Sequence, residues 1–201
     1  MAILRSSYRG RFVIIGGAGS LYSKSKGHLC DDEGFAFKHW YAWPDVHLDY
    51  MATRMFDHGQ RGFGTFIRLF KWARGNVQIP GWFSWLFRPF ANLVLSKARK
   101  FLTDPTATGL ILCSRAALTM WEGVRETSWS FLSPPWQLRE KGIRTGKYEA
   151  FVDDGTGSAQ PGIENGIYNE DMAVAIVDEV ENNALNHKHW TCTGPIGLKE
   201  W

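Results

Sequence analysis

The sequence predicts an α-rich domain of about five helices, with one or two short strands and irregular aromatic-rich arms. Three observations carry that expectation. Apolar residues recur at helical spacing in five stretches between residues 45 and 185. Proline or Asx residues stand where helices should begin: Pro44-Asp45, Pro89, Asp104-Pro105 and Asn169. Only two short runs read as strands, RFVII at 11–15 and KYEAFV at 147–152.

Taken in order, RFVII is stopped by GGAGS, and 27–37 reads as a turn-rich acidic patch. The first helix opens at Pro44-Asp45 and runs to about His58, with Leu48, Met51, Ala52, Met55 and Phe56 on one face. Gly62 and Gly64 break the chain before a second helix from Thr65 to Arg74, where Arg68, Lys71 and Arg74 share a polar side. A loop follows at 75–80. The third helix starts near Pro89, with Phe90, Leu93, Val94, Ala98, Phe101 and Leu102 on its apolar face. The fourth runs from Asp104-Pro105 to about Glu126 and is apolar on nearly every side, which predicts a central, covered helix. A fifth helix begins at Asn169 and reaches about Leu185, with Glu170 and Asp171 at its positive end. The tail after it is expected to be extended. This organisation reads as a basic, Gly-rich N-terminal arm (1–44), a helical core (45–133) and an acidic C-terminal extension (134–201).

Composition narrows the class. The chain of 201 residues is 44% hydrophobic and 21% charged, with ten Trp and thirteen Phe, more large rings than a core of this size uses. The net charge of +3 conceals a polarity. From His58 to Thr103 there are eight Lys/Arg and no acid; from Tyr148 to Trp201 there are ten acids and two lysines. Such a chain has two differently charged partners, or folds its acidic end over its basic middle. Three widely spaced cysteines, Cys30, Cys113 and Cys192, argue against a disulfide framework. The longest uncharged run, Gly75 to Phe87, has 13 residues, too few to span a bilayer.

Several constellations could carry chemistry. Val13–Ser20, VIIGGAGS, resembles the nucleotide-binding turn of the short-chain dehydrogenases and sugar epimerases. The resemblance implies a strand, a glycine turn and a helix that takes a pyrophosphate. Gly17 and Gly19 match its first two glycines, Tyr22 stands at the third, and no alternating βα series follows. The turn is therefore read as structural, and no cofactor is expected. His47-Leu48-Asp49 has the spacing of half an iron site, but on a helix residues two apart point about 200° from one another. His28-x-Cys30 and His187-x-His189-x-x-Cys192 are weak zinc candidates, and they could meet only if the tail folds back on the N-terminal region. Asp31-Asp32 and Asp153-Asp154 sit in glycine-containing turns, which explains them without a catalytic role. No catalytic residue is expected.

The basic aromatic stretch from Phe66 to Leu102 is the strongest lead. Arg68, Lys71, Trp72, Arg74, Trp82, Phe83, Trp85, Phe87 and Arg88 combine cations with rings at an amphipathic boundary. They are expected to meet a membrane or partner surface, with nucleic acid a weaker fit. Together with the acid-free N-terminus, this leads to a non-catalytic accessory subunit docked at a membrane-embedded energy-converting complex of the respiratory type. The expected location is peripheral, on the mitochondrial inner membrane; the partners are protein subunits and an anionic lipid surface. Two alternatives stand beside it: a nucleic-acid-associated structural protein of a ribosome or virion, and a small metalloenzyme. No family resemblance extends over the chain.

Overall fold

The computed structural model describes residues 10–24, 27–78, 84–140, 142–159 and 166–196. It divides into two compact units, one formed by the chain up to Asp32 and from Gly109 onward, the other by Glu33–Thr108.

The first unit is built on a sheet, which corrects the α-rich expectation. Four strands lie in the order β1-β2-β6-β4. They are β1 (Phe12–Ile15), β2 (Trp129–Leu132), β4 (Glu149–Val152) and β6 (Lys188–Thr193). The first three in that order run parallel and β4 is antiparallel to β6. A second, two-stranded parallel sheet pairs β3 (Gln137–Arg139) with β5 (Gly166–Tyr168). Helix α5 (Pro105–Glu122) covers one face of the larger sheet. There Leu118 meets Trp129 and Phe131, with Phe12, Ile14 and Trp121 packed alongside. Helix α6 (Asn169–Asn182) covers the other, where Ala175 packs with Leu132, Trp190 and Cys192.

The strands escaped the sequence reading for a physical reason. All four residues of β2 are buried, and β6 is buried over its middle. A strand covered on both faces loses the period-two alternation that marks a strand. α5 itself is less covered than its composition predicts: Leu110 is 81% exposed, and Leu112 and Met120 are also exposed.

The second unit is helical: α1 (Phe35–Ala42), α2 (Asp45–Asp57), α3 (Arg61–Gln78) and α4 (Ser84–Leu102). α1 replaces part of the expected acidic turn, and it forms because Phe35, Ala36 and Trp40 bury one face. Trp40 lies edge-on to Phe70 and beside Trp43, Phe63 and Phe66. α3 continues through Gly62 and Gly64, where the sequence predicted a break. A Cβ on Gly64 would come within 3.0 Å of the Ala52 carbonyl oxygen, so glycine lets α3 approach α2. α4 begins five residues before Pro89, not at it. The start of α5 is as expected: Asp104 Oδ1 accepts the Thr106 amide at 2.8 Å. Among the described residues no helix is long and apolar enough to cross a membrane.

Candidate functional site

Four segments far apart in sequence converge at the sheet. Ser133 is the first residue after β2, and its amide donates to the Trp190 carbonyl. His189 of β6 is paired in register with Phe131. Asp153 directly follows β4, and its amide donates to the His189 carbonyl, so the two are cross-strand neighbours. Ser20 ends the short 3₁₀ turn, Ala18–Ser20, after β1. All four side chains are buried.

They form one chain of polar contacts. Ser20 Oγ donates to the Gly17 carbonyl at 2.6 Å and lies 2.8 Å from Ser133 Oγ. Ser133 Oγ lies 2.7 Å from His189 Nε2. His189 Nδ1 is 3.1 Å from Asp153 Oδ2, which also accepts the Tyr22 amide at 2.8 Å. The direction of the protons follows. Since the Ser20 hydrogen is used on Gly17, Ser133 donates to Ser20, and His189 Nε2–H donates to Ser133. That turns the Nδ1 edge of the ring toward the Asp153 carboxylate. The 3.1 Å contact is close enough for an ion pair but is not aligned as a hydrogen bond. Asp153 Oδ1 is buried and has no hydrogen-bond partner, an expensive arrangement in a site closed to ligand.

This chain opens on a cleft of about 400 Å³ lined by Tyr22, Glu122, Arg125, Asp153, His187 and His189, among others. Burial, then the charges of Glu122 and Asp153, push the Tyr22 hydroxyl up from its ordinary value. Cations, imidazoles, carboxylates and a phenol thus face one small volume.

The sequence candidates distribute as follows. The N-terminal and tail clusters are held by separate contacts. His28 Nδ1 is 2.6 Å from the Ser20 carbonyl, and its ring stacks on Tyr22. His187 Nε2 lies 2.9 Å from the Thr127 carbonyl. Cys30 is half-buried, its thiol pushed up by burial and by Asp31. Cys192 is in the core between β6 and α6, pushed up to about 12 by burial. Among the described residues no three His, Cys, Asp or Glu are grouped to hold a metal. His47 is buried beside Trp43 and Tyr50, while Asp49 pairs with Lys71 at 2.6 Å.

Of the basic aromatic set, Arg74 is not at the surface. Its guanidinium is buried, donates to the Tyr41 carbonyl at 2.8 Å and to that of Trp43, and pairs with Asp45. Lys71 is likewise engaged with α2. Arg68 is exposed and stacks on Phe56 at 4.5 Å. Trp72, Trp85, Phe87 and Arg88 are exposed. Trp82 and Phe83 lie outside the described residues.

Ser20, Ser133 and Asp153 were missed as site residues. Asp153 was assigned to turn chemistry, and turns do use aspartate. For Ser133 the signal available was its position immediately after an apolar strand segment, at the carboxyl end where α/β sheets place ligand-facing groups.

The glycine turn does not offer the pyrophosphate site its resemblance implies. It leads into three residues of 3₁₀ helix and then an extended Leu21, so no helix N-terminus faces a ligand. A Cβ on Gly16 would sit 2.2 Å from the Phe131 ring, so this glycine serves packing on β2.

No known protein family matches the chain, and no curated protein matches it in sequence. Three solved structures are similar in fold. A candidate exported protein from Burkholderia pseudomallei shares 19% identity over 92% of this chain and 56% of its own, with a TM-score of 0.47. A candidate epimerase from Bacteroides thetaiotaomicron shares 18% over 94% and 55%, with a TM-score of 0.47. A candidate NADH-flavin reductase from Streptococcus pneumoniae shares 18% over 96% and 60%, with a TM-score of 0.46. The chain spans little more than half the length of each. Two of the three are described as enzymes, and the chain folds around a sheet with a polar cleft. The expectation of a helical, non-catalytic accessory subunit on a membrane-embedded respiratory-type complex is corrected by the fold itself: the first unit is a mixed four-stranded sheet with a helix on each face.

Proposed function

We propose that the sheet unit is an enzyme-like α/β domain that binds a small polar molecule in the cleft at Asp153 and His189 and exchanges a proton with it. One observation carries this reading. The buried chain Ser20–Ser133–His189–Asp153 lies against the cleft with an imidazole beside a carboxylate and with one carboxylate oxygen unpaired. Ser133 and Ser20 fix the imidazole from behind, which is how a proton-transfer group is kept in one orientation. Arg125 and His187 on the same walls suit a ligand with an anionic end. The reading gives no role to a mitochondrial inner membrane.

The test is calorimetric. Wild type and Asp153→Asn are titrated with a panel of small carboxylates, hydroxy acids and a nicotinamide dinucleotide, each in two buffers of different ionisation enthalpy. A carboxylate or hydroxy acid should bind wild type with a buffer-dependent heat, the mark of proton uptake or release. Asp153→Asn should lose that dependence. The dinucleotide is included because Val13–Ser20 resembles a nucleotide-binding turn, and the 3₁₀ turn predicts that it gains nothing there. Binding of the whole panel without buffer dependence, or of none of it, refutes the reading.

A further inference from the structure

The helical unit presents a second surface that the sheet unit's chemistry does not use. α4 has two apolar faces. Its inner face, Ala91, Val94, Leu95, Ala98 and Leu102, is buried. The outer one is not: Leu86, Phe90, Leu93 and Phe101 follow one another at i, i+4, i+7 and i+15, and each is about half exposed. Trp72 of α3 extends this strip, its ring 5.7 Å from Phe90 and 6.3 Å from Phe87. An apolar strip of this continuity on a protein surface marks something that covers it.

Charge says what covers it. Arg88, Lys97 and Lys100 lie on the exposed surface of α4, and no acid occurs anywhere from His58 to Thr103. Lys97 and Lys100 also border a groove of about 520 Å³ floored by Phe101, with Asp104 and Thr106 at its far side. Asp104 accepts the Thr106 amide, and so is engaged in the start of α5. A second copy of the chain laid on this face would set cations against cations. A nucleic acid would meet the cations but leave the apolar strip wet.

We infer that the outer face of α4, with Trp72 of α3, lies on an anionic phospholipid surface. Phe90, Leu93 and Leu86 enter the boundary between headgroups and acyl chains, and Lys97 and Lys100, on the same side of α4, meet lipid phosphates. Lysines next to an apolar strip suit this geometry, because their stems lie along the apolar surface while the ammonium stays wet. This inference is independent of the cleft at Asp153.

Flotation of the full chain tests it, with phosphatidylcholine vesicles that contain or lack phosphatidylserine. The wild type should float only with the anionic vesicles. Lys97→Glu and Lys100→Glu combined should reduce partitioning by about thirtyfold or more, given about 1 kcal/mol for each cation near an anionic surface. Phe90→Gln with Leu93→Gln should reduce it without altering net charge, and thermal melts of both variants establish that they fold. Equal flotation with neutral vesicles, or none with anionic ones, overturns the inference. So does an unchanged partition of the charge variant. A soluble dimer dispersed by Phe90→Gln/Leu93→Gln would assign the face to a second copy. Protection of RNA without vesicle binding would assign it to nucleic acid. Either result would overturn the lipid surface.

Discussion

The two units solve opposite problems. The sheet unit puts charge and polarity inside: Asp153, His189, Asp171, Glu179 and Arg139 are all buried. The helical unit leaves Trp85, Phe87, Phe90 and Leu93 outside. A buried polar group must find a partner or be neutralised, whereas an exposed ring costs little until its area becomes contiguous. The polar interior of the first unit thus marks where chemistry and register are set. The apolar exterior of the second marks where another surface belongs. Arg74 tests this division, because it is a buried cation within the helical unit.

The largest effect should come from Arg74→Ala. The guanidinium satisfies the carbonyls of Tyr41 and Trp43 between α1 and α2 and pairs with Asp45. Its loss orphans buried acceptors and should cost about 3 kcal/mol. Arg88→Ala, on the same unit and with the same change in charge, should stay within about 0.5 kcal/mol. Urea unfolding of the two variants gives the comparison directly. Equal losses would mean that position relative to the α1–α2 carbonyls does not matter.

In the sheet unit the matching experiment is Asp171→Ala. Asp171 stands in the first turn of α6, fully buried, and accepts the amides of Thr145 and Gly146 at 2.8 Å and the Thr145 hydroxyl at 2.7 Å. Removing it frees two backbone donors, and about 2–3 kcal/mol should be lost. Ser133→Ala should cost less, about 1–2 kcal/mol, because His189 retains its neighbour Asp153 while Ser20 loses its donor. If Ser133→Ala destabilises more than Asp171→Ala, the chain at the cleft is chiefly a structural staple.

How much of this could be read in the sequence differs between the units for the same reason. Local signals found α2 and the start of α5, because Pro44-Asp45 and Asp104-Pro105 act on the residues that follow them. β1 and β4 were legible as short apolar runs with glycine-rich stops. β2 was not, since burial on both faces erases alternation. The site was legible in one residue of four. His189 was singled out only as a weak zinc candidate in its tail cluster, with no metal expected. Its partners come from positions 20, 133 and 153, and the pairing of β2 with β1 and of β6 with β2 and β4 brings them together. Pairing between distant strands is not encoded in spacing. Gly64 erred in the other direction: glycine is a helix breaker by propensity, but here it is what allows α3 against α2.

Cysteine labelling sharpens the contrast without perturbing the fold. Cys113 is exposed, Cys30 is half-buried with its thiol raised by burial, and Cys192 is buried with its thiol near 12. The thiolate is the reactive form, so iodoacetamide at mildly alkaline pH should modify Cys113 first, Cys30 next and Cys192 only after unfolding. Mass spectrometry of a time course reads the order. Early modification of Cys192 would show that the α6 side of the sheet opens on its own.

The smallest effect is one of pH, at the edge of the same core cluster. Tyr148 packs against the Trp190–Cys192 cluster, and its hydroxyl donates to Asp178 Oδ2 at 2.7 Å. Burial first, and then the bond to Asp178 and its charge, push the phenol up from 10.0 to about 12. The folded state thus favours the neutral phenol. Below pH 10 the group is neutral whether the chain is folded or not, and its full contribution is present. As pH rises from 10 through about 12, the unfolded chain releases the proton first, and the contribution is lost. Tyr148→Phe should lower stability at neutral pH by about 1 kcal/mol, the net value of one hydrogen bond. It should also flatten the decline in stability between pH 10 and 12 relative to wild type. Unfolding curves at intervals across that window, with the phenolate absorbance followed in parallel, measure both. An identical decline in the two proteins would place the alkaline titration on other groups and leave Tyr148 with a packing role alone.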